Sequence, residues 1–168
     1  MHSNAGKFKG FPLITAKVAN WDDSGLKVTL SQKKFSAKKD GPGHDSIWKI
    51  PISYVSSNDK QIKHILMESK DTEISLPGLP KNGWVKINSG VEGFYQVQYQ
   101  DELFTALKNN ISSMPVRDRI QLQADLFAAS KAGLAKSTQF LEVIIHIFLE
   151  FDDHELCNNA TIYNWIVS

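Results

Sequence analysis

The chain has 168 residues, of which 42% are hydrophobic, and its 19 basic and 18 acidic residues give a formal net charge of +1. That size and apolar content allow one large or two small globular domains with a buried core. The charge balance excludes nucleic acid as the expected partner, and no apolar run approaches the roughly 20 residues of a membrane span.

The first half of the chain predicts short β-strands. Residues 1–9 lack the apolar stretch of a signal peptide and are interpreted as a lead-in or an appended remnant. Strands are then predicted where apolar and polar residues alternate, at residues 11–18, 26–31, 48–54, 62–67 and 72–76. Turn formers separate them, so residues 10–99 are predicted to form an antiparallel β-sandwich. Pro51 cannot donate to a ladder, which predicts an edge strand or a bulge there.

The stretch from Trp84 to Tyr99 closes this β region. It is predicted to form two strands joined across Asn88-Ser89-Gly90. Trp21, Trp48 and Trp84 could form an aromatic stacking platform for a sugar or a base. Because no polar groups are visibly arranged around them, core or rim packing is the favoured interpretation.

Residues 100–168 predict helices. A short helix follows Gln100, a second runs from Val116 to Ala132 with Gly133 as its C-cap, and a third runs from Thr138 to about Phe151 with Ser137 as its N-cap. A fourth is predicted from Leu156 to Val167. Short helices with short connections indicate hairpins of the solenoid kind, and the apolar last helix suggests a truncated array whose exposed face would cause self-association.

A search for catalytic chemistry finds no site. The chain contains five histidines: His2, His44, His64, His146 and His154. His154-Glu155 begins like the zinc-peptidase motif H-E-x-x-H, but Asn158 stands where the second histidine is needed. His146, Glu150 and His154 could share one helical face, for which a solvated surface is the favoured interpretation. Phosphate-binding loops and nucleophile elbows are also absent from the sequence.

Two further features have a chemical and a structural interpretation. Cys157 is the only cysteine, which rules out an internal disulfide and indicates a reducing, cytoplasmic location. It could be a nucleophile, but its apolar neighbours favour a buried, inert thiol. Lysines flank Phe35, and a solvated strand end is favoured there over a binding patch.

Several motifs in order resemble the gluzincin aminopeptidases, and most closely their puromycin-sensitive type. They include Gly10-Phe11-Pro12-Leu13-Ile14, Gly83-Trp84-Val85-Lys86-Ile87-Asn88, Gly93-Phe94-Tyr95-Gln96-Val97-Gln98-Tyr99 and the stretch from Arg119 to Phe127. The residues assigned to family motifs, in a structural role, are Gly10, Phe11, Pro12, Trp84, Gly93, Phe94, Tyr95, Tyr99, Arg119 and Asp125. One departure is Gln96, because the family usually has arginine after Gly-Phe-Tyr.

The resemblance implies a multi-domain architecture, a β-sandwich (residues 10–99) followed by the start of a HEAT-like helical domain (residues 100–168). The family's zinc motif and its amino-terminus-recognising motif lie upstream of this region, so no catalytic, metal-binding or cofactor-binding residue can be carried over. Zinc is expected only in the parent enzyme.

The implied function is that of a non-catalytic C-terminal portion of a zinc aminopeptidase, which scaffolds the catalytic domain and forms part of the wall of the substrate chamber. Its expected partners are the catalytic domain and the remaining helical domain, and peptide substrate only in that context. The chain is predicted to be inactive alone. The alternatives are a stand-alone protein-interaction module and, least favoured, an independent enzyme with an unrecognised site.

Overall fold

The computed structural model of the chain describes residues 10–35 and 47–149. In this part of the chain, β-strands come first and helices follow. The strands are β1 (Pro12–Asp22), β2 (Gly25–Lys34), β3 (Ile50–Ser56), β4 (Asp59–Met67), β5 (Asp71–Pro77), β6 (Val85–Ile87) and β7 (Gln96–Tyr99). The α-helices are α1 (Asp101–Asn109), α2 (Val116–Lys131) and α3 (Ser137–Leu149), with 3₁₀ turns at Ser89–Val91 and Ile111–Ser113.

The strands form two sheets around one hydrophobic core. One sheet has the order β5-β2-β1-β7 and the other has the order β4-β3-β6. Alternate residues of β2, namely Leu26, Val28 and Leu30, are buried as the sequence pattern predicts, and they share a cluster with Ile52 of the second sheet. The described part of the chain therefore confirms a β region followed by helices, and its two sheets pack as a sandwich.

The prediction of an edge strand at Pro51 is wrong. Strand β3 is the middle strand of its sheet, between β4 and β6. Its register shift lies between Tyr54 and Ser56 rather than at Pro51. Because β6 pairs only with Tyr54, Val55 and Ser56, the proline loses no ladder bond on that side.

The prediction of a wholly antiparallel sandwich is wrong at β7. Strands β6 and β7 follow one another in sequence but lie in different sheets. Strand β6 pairs antiparallel with β3, whereas β7 pairs parallel with β1, with Gln96 opposite Leu13. The connection between them is accordingly longer than the predicted Asn88-Ser89-Gly90 joint, and it carries the chain from one sheet to the other.

The helix ends largely follow the sequence signals. Gly133 has φ 67° after α2, its N–H donates to Ser130 O over 3.0 Å, and Leu134 N donates to Ala129 O over 2.8 Å. These bonds form the Schellman arrangement expected of a C-terminal glycine. Ser137 is the first helical residue rather than the N-cap. The predicted fourth helix and Cys157 lie outside the described residues.

The helices extend the core of the sandwich. Leu103 and Leu107 of α1, Leu122 of α2 and Val143 of α3 belong to the same hydrophobic cluster as the strands. Phe127 and Phe140 hold α2 against α3, with ring centroids 5.3 Å apart. Within the described ranges, no helix is long and apolar enough to cross a membrane. The division at residues 9 and 99 stays a prediction.

Candidate functional site

The segment from Asn88 to Tyr95, called the junction loop below, connects the two sheets and faces the helices. Its backbone enters the left-handed region at Asn88 (φ 58°), Gly90 (φ 73°) and Val91 (φ 56°). A β-branched residue such as valine rarely adopts this conformation, because its side chain crowds the backbone. Such strain persists only when the surrounding structure holds the loop in place.

Asn88 holds the loop from within. Its side chain is fully buried, its Oδ1 accepts from Gly93 N at 2.9 Å, and its Nδ2 donates to Gly93 O at 3.0 Å and to Tyr95 O at 3.3 Å. Asparagine tolerates the left-handed conformation and can bond nearby backbone groups, so one side chain both permits and stabilises the turn.

Asp118, in the first turn of α2, holds the loop from the helical side. Its carboxylate accepts from Ser89 Oγ at 2.9 Å and from Gly90 N at 2.8 Å, and only 1% of the residue is exposed. The neighbouring Arg117 donates to Gly90 O over 3.4 Å. The N-terminal end of a helix favours a carboxylate, which makes this position suitable for a buried anion.

Lys86 and Asp125 bring two further ionisable groups into the same interior. Lys86 Nζ donates to Ile87 O at 2.7 Å, and Asp125 Oδ1 accepts from Gln121 Nε2 at 2.8 Å. Burial lowers the pKa of Lys86, and the charges of Asp125 and Asp118 oppose that shift. Burial also raises the pKa of Asp125 to about 7, against the opposing effects of Lys86, Gln121 and the backbone.

Two tyrosines complete the junction. The hydroxyl of Tyr99 accepts from Ile87 N at 2.8 Å and donates to Ile87 O at 3.2 Å, so it ties β7 to β6 across the two sheets. Burial raises the pKa of Tyr99 well above its usual value and the pKa of Tyr95 to about 12. Both hydroxyls therefore stay protonated at neutral pH, and that of Tyr99 serves as a structural hydrogen-bonding group, whereas that of Tyr95 is buried without a hydrogen-bond partner among the described residues.

A cleft of about 510 Å³ opens beside the junction loop. Trp84, Ile62, Arg117 and Asp118 line it, and Lys60 Nζ lies 4.3 Å from the centroid of the Trp84 ring. The described residues that line the cleft include no histidine or cysteine.

The residues present do not fit a zinc centre. Among residues 10–35 and 47–149, no group of three or more His, Cys, Asp or Glu side chains is close enough to hold a metal ion. The sequence also lacks H-E-x-x-H, the arrangement that places two imidazoles one helical turn apart. No chemical step through zinc can be assigned to these residues.

The ten family-motif residues are distributed over four places. Trp84 lines the cleft, and Arg119 is half-buried on α2. The junction contains Gly93, Tyr95, Tyr99 and Asp125, whereas Gly10, Phe11, Pro12 and Phe94 lie at or beside the start of β1.

Sequence reasoning missed Lys86, Asn88 and Asp118. A lysine between Val85 and Ile87 has the pattern of a solvent-facing position, so only the packed helices reveal that Lys86 is buried. Gln96 is half-buried, and its Oε1 has no hydrogen-bond partner among the described residues. The position at which the chain departs from the family thus also has an unsatisfied acceptor.

Comparison with known proteins finds relatives along most of the chain. A family model described as the ERAP1-like C-terminal domain matches residues 84–160. The puromycin-sensitive aminopeptidase of Caenorhabditis elegans is 36% identical over 139 residues, which cover 80% of this chain and 14% of that protein. Human endoplasmic reticulum aminopeptidase 1 is 27% identical over 144 residues, which cover 83% of this chain and 15% of that protein. Rice aminopeptidase M1-D is 29% identical over 162 residues, which cover 89% of this chain and 17% of that protein. The chain thus spans a small part of the length of each of these relatives.

Proposed function

The chain belongs to the aminopeptidase family of these relatives, and we propose that it serves as a non-catalytic C-terminal portion of such an enzyme. In this role it scaffolds the catalytic domain and begins the wall of the substrate chamber. The parent enzyme would remove N-terminal residues from peptides with a zinc-activated water, and the helices would be the first of a HEAT-like array. The chain would contact peptide substrate only within that larger assembly.

The observation that carries the proposal is the 36% identity over 139 residues, together with the match of a C-terminal domain model from residue 84. A match of 139 residues includes parts of both the sandwich and the helices, so both regions align with the same relative. The buried bonds between Asp118 and the junction loop support the same role, because they hold the helices in one position on the sandwich.

A stand-alone interaction module is the second candidate. Large apolar side chains are exposed at Leu66 (55%), Phe94 (86%) and Ile145 (55%), and exposed apolar surface commonly marks a protein contact. In such a module the partner would be a separate protein rather than a covalently linked catalytic domain.

The cytoplasm is the location we propose, on the basis of the single cysteine. Some relatives are named for the endoplasmic reticulum, so fractionation of cells that express the chain is the appropriate measurement.

A chimeric enzyme tests the proposed function. Residues 10–149 would replace the aligned segment of the C. elegans puromycin-sensitive aminopeptidase, and release of N-terminal residues from a fluorogenic peptide would be measured. We expect the chimera to retain activity, the isolated chain to have none, and a version lacking the segment to be inactive. A folded but inactive chimera would favour the interaction module, and zinc-dependent hydrolysis by the isolated chain would show that it contains a site of its own.

A further inference from the structure

Three phenylalanines form an aromatic surface at one corner of the sandwich. The rings of Phe11 and Phe35 stack with centroids 4.9 Å apart and an interplanar angle of 13°. Phe94 packs its edge against Phe11, with centroids 5.6 Å apart and an angle of 69°. Phe94 is nonetheless 86% exposed, and we call these three residues the aromatic corner.

The aromatic corner is rigidly built. Phe35 N donates to Phe11 O at 2.9 Å, which extends the β1–β2 pairing to the stacked rings. Phe94 belongs to the junction loop and directly follows Gly93, which Asn88 holds through two hydrogen bonds. A rigid aromatic side chain loses little conformational entropy on binding, and such residues are enriched among the strongest contacts of protein interfaces.

The position of the corner indicates what covers it. The chain enters the sandwich at Phe11, immediately before β1, so a preceding domain would emerge beside these rings. The family model described as a C-terminal domain begins at residue 84, and the matched segments make up only 14% to 17% of the three relatives compared above. In those relatives, the region aligned with the sandwich therefore has further protein before it.

We propose that the aromatic corner docks onto the part of the aminopeptidase that precedes the sandwich, with Phe94 as the anchoring side chain. This inference rests on the proposed function. It adds a specific contact surface, an apolar pocket on the preceding domain that receives one phenylalanine ring. The strained junction loop then has a physical role, because it holds Phe94 outward at a fixed angle.

Photo-crosslinking in the chimera described above tests the contact. The photoreactive analogue p-benzoylphenylalanine would replace Phe94, or Leu66 as a control with 55% exposure on β4 of the other sheet. We expect mass spectrometry to locate crosslinks from position 94 in the enzyme region before residue 10, and none there from position 66. Crosslinks from position 94 only to residues 36–46 of the same chain, or to a second copy, would overturn the proposal.

A pair of stability measurements gives a second readout. We expect Phe94→Ala to leave the melting temperature of the isolated 168-residue chain unchanged and to lower that of the chimera by about 2–4 °C. An equal shift in both proteins would contradict docking. A chimera that is inactive but still crosslinks would refute only the proposed function. A chimera that is active but gives no crosslinks would refute only the docking surface. A chimera with neither activity nor crosslinks would refute the function and the docking surface together.

Discussion

The hydroxyl of Ser89 donates a 2.9 Å hydrogen bond to the carboxylate of Asp118, which lies 29 positions further along the chain. This buried contact joins the connection between the two sheets to the first turn of α2. The same carboxylate accepts from Gly90 N at 2.8 Å, so one side chain satisfies two donors of a strained loop. Asp118 thus adds two hydrogen bonds to the apolar packing that attaches the helices to the sandwich.

Replacement of Asp118 should weaken the fold strongly. Asp118→Ala leaves the buried Ser89 hydroxyl and the half-buried Gly90 N–H without their acceptor, so we expect the free energy of unfolding to fall by about 2–4 kcal/mol. Asp118→Asn keeps one acceptor oxygen and should cost less. Urea denaturation measures both, with the exposed Glu73→Ala as a control expected within about 0.5 kcal/mol of wild type. Equal stability of Asp118→Ala and the control would show that the junction contributes little.

Stability should depend on pH through Asp125. Its pKa is raised from the ordinary 3.8 to about 7 in the folded protein, so the folded state binds this proton more tightly than the unfolded state. The resulting stabilisation is complete below about pH 4 and is lost as the pH rises through 7. Each pKa unit corresponds to about 1.36 kcal/mol, which makes the total loss up to about 4 kcal/mol.

The variant Asp125→Asn isolates this effect. Asparagine cannot release a proton, and its side-chain oxygen can still accept from Gln121. We expect the difference in unfolding free energy between pH 4 and pH 8 to shrink relative to wild type, with the two proteins most similar at low pH. A variant that retains the full wild-type pH dependence would assign that dependence to another group.

A side chain at Gly93 should disrupt the junction loop. An added Cβ would overlap Cε1 of Tyr95, whose ring is buried and cannot easily move aside. We expect Gly93→Ala to destabilise the fold by about 1–3 kcal/mol in urea denaturation. Gly78→Ala is the matched control, because its Cβ would meet only Asn58 Nδ2 at 4.0 Å and its cost arises from φ +68° alone. A smaller loss at Gly93 than at Gly78 would contradict the predicted clash.

The isolated chain should self-associate through α3. Leu141 and Ile145 lie one helical turn apart and are 53% and 55% exposed, so together they present an apolar stripe to solvent. We expect sedimentation equilibrium to show dimers whose share rises with concentration. Ile145→Lys should raise the dissociation constant of the dimer about tenfold, which corresponds to about 1.4 kcal/mol. Leu66→Lys on β4 should leave the equilibrium unchanged. A strictly monomeric wild-type chain at high concentration would disprove the prediction.

Local sequence patterns are sufficient to predict the order of strands before helices, most of the turns, the Gly133 C-cap and the family. These features depend on local rules. Alternation with period two identifies a half-buried strand, and a glycine after an apolar helical stripe identifies a helix end, whatever the rest of the chain does. The ordered motifs also sufficed for the resemblance, because each is a contiguous run of residues.

How these elements combine becomes visible only in the folded chain. Gln96 lies opposite Leu13 in a parallel pair, and no local pattern specifies a partner so distant in sequence. The burial of Lys86 and the raised pKa of Asp125 likewise arise only after α2 covers the sheet, because desolvation depends on the packed neighbours rather than on the residue's own segment. Phe94 is exposed although it lies between the half-buried Gly93 and the buried Tyr95, and this exposure also depends on the packed neighbours. The strained backbone that presents this ring donates hydrogen bonds to the side chains of Asn88 and Asp118, which the linear sequence does not reveal.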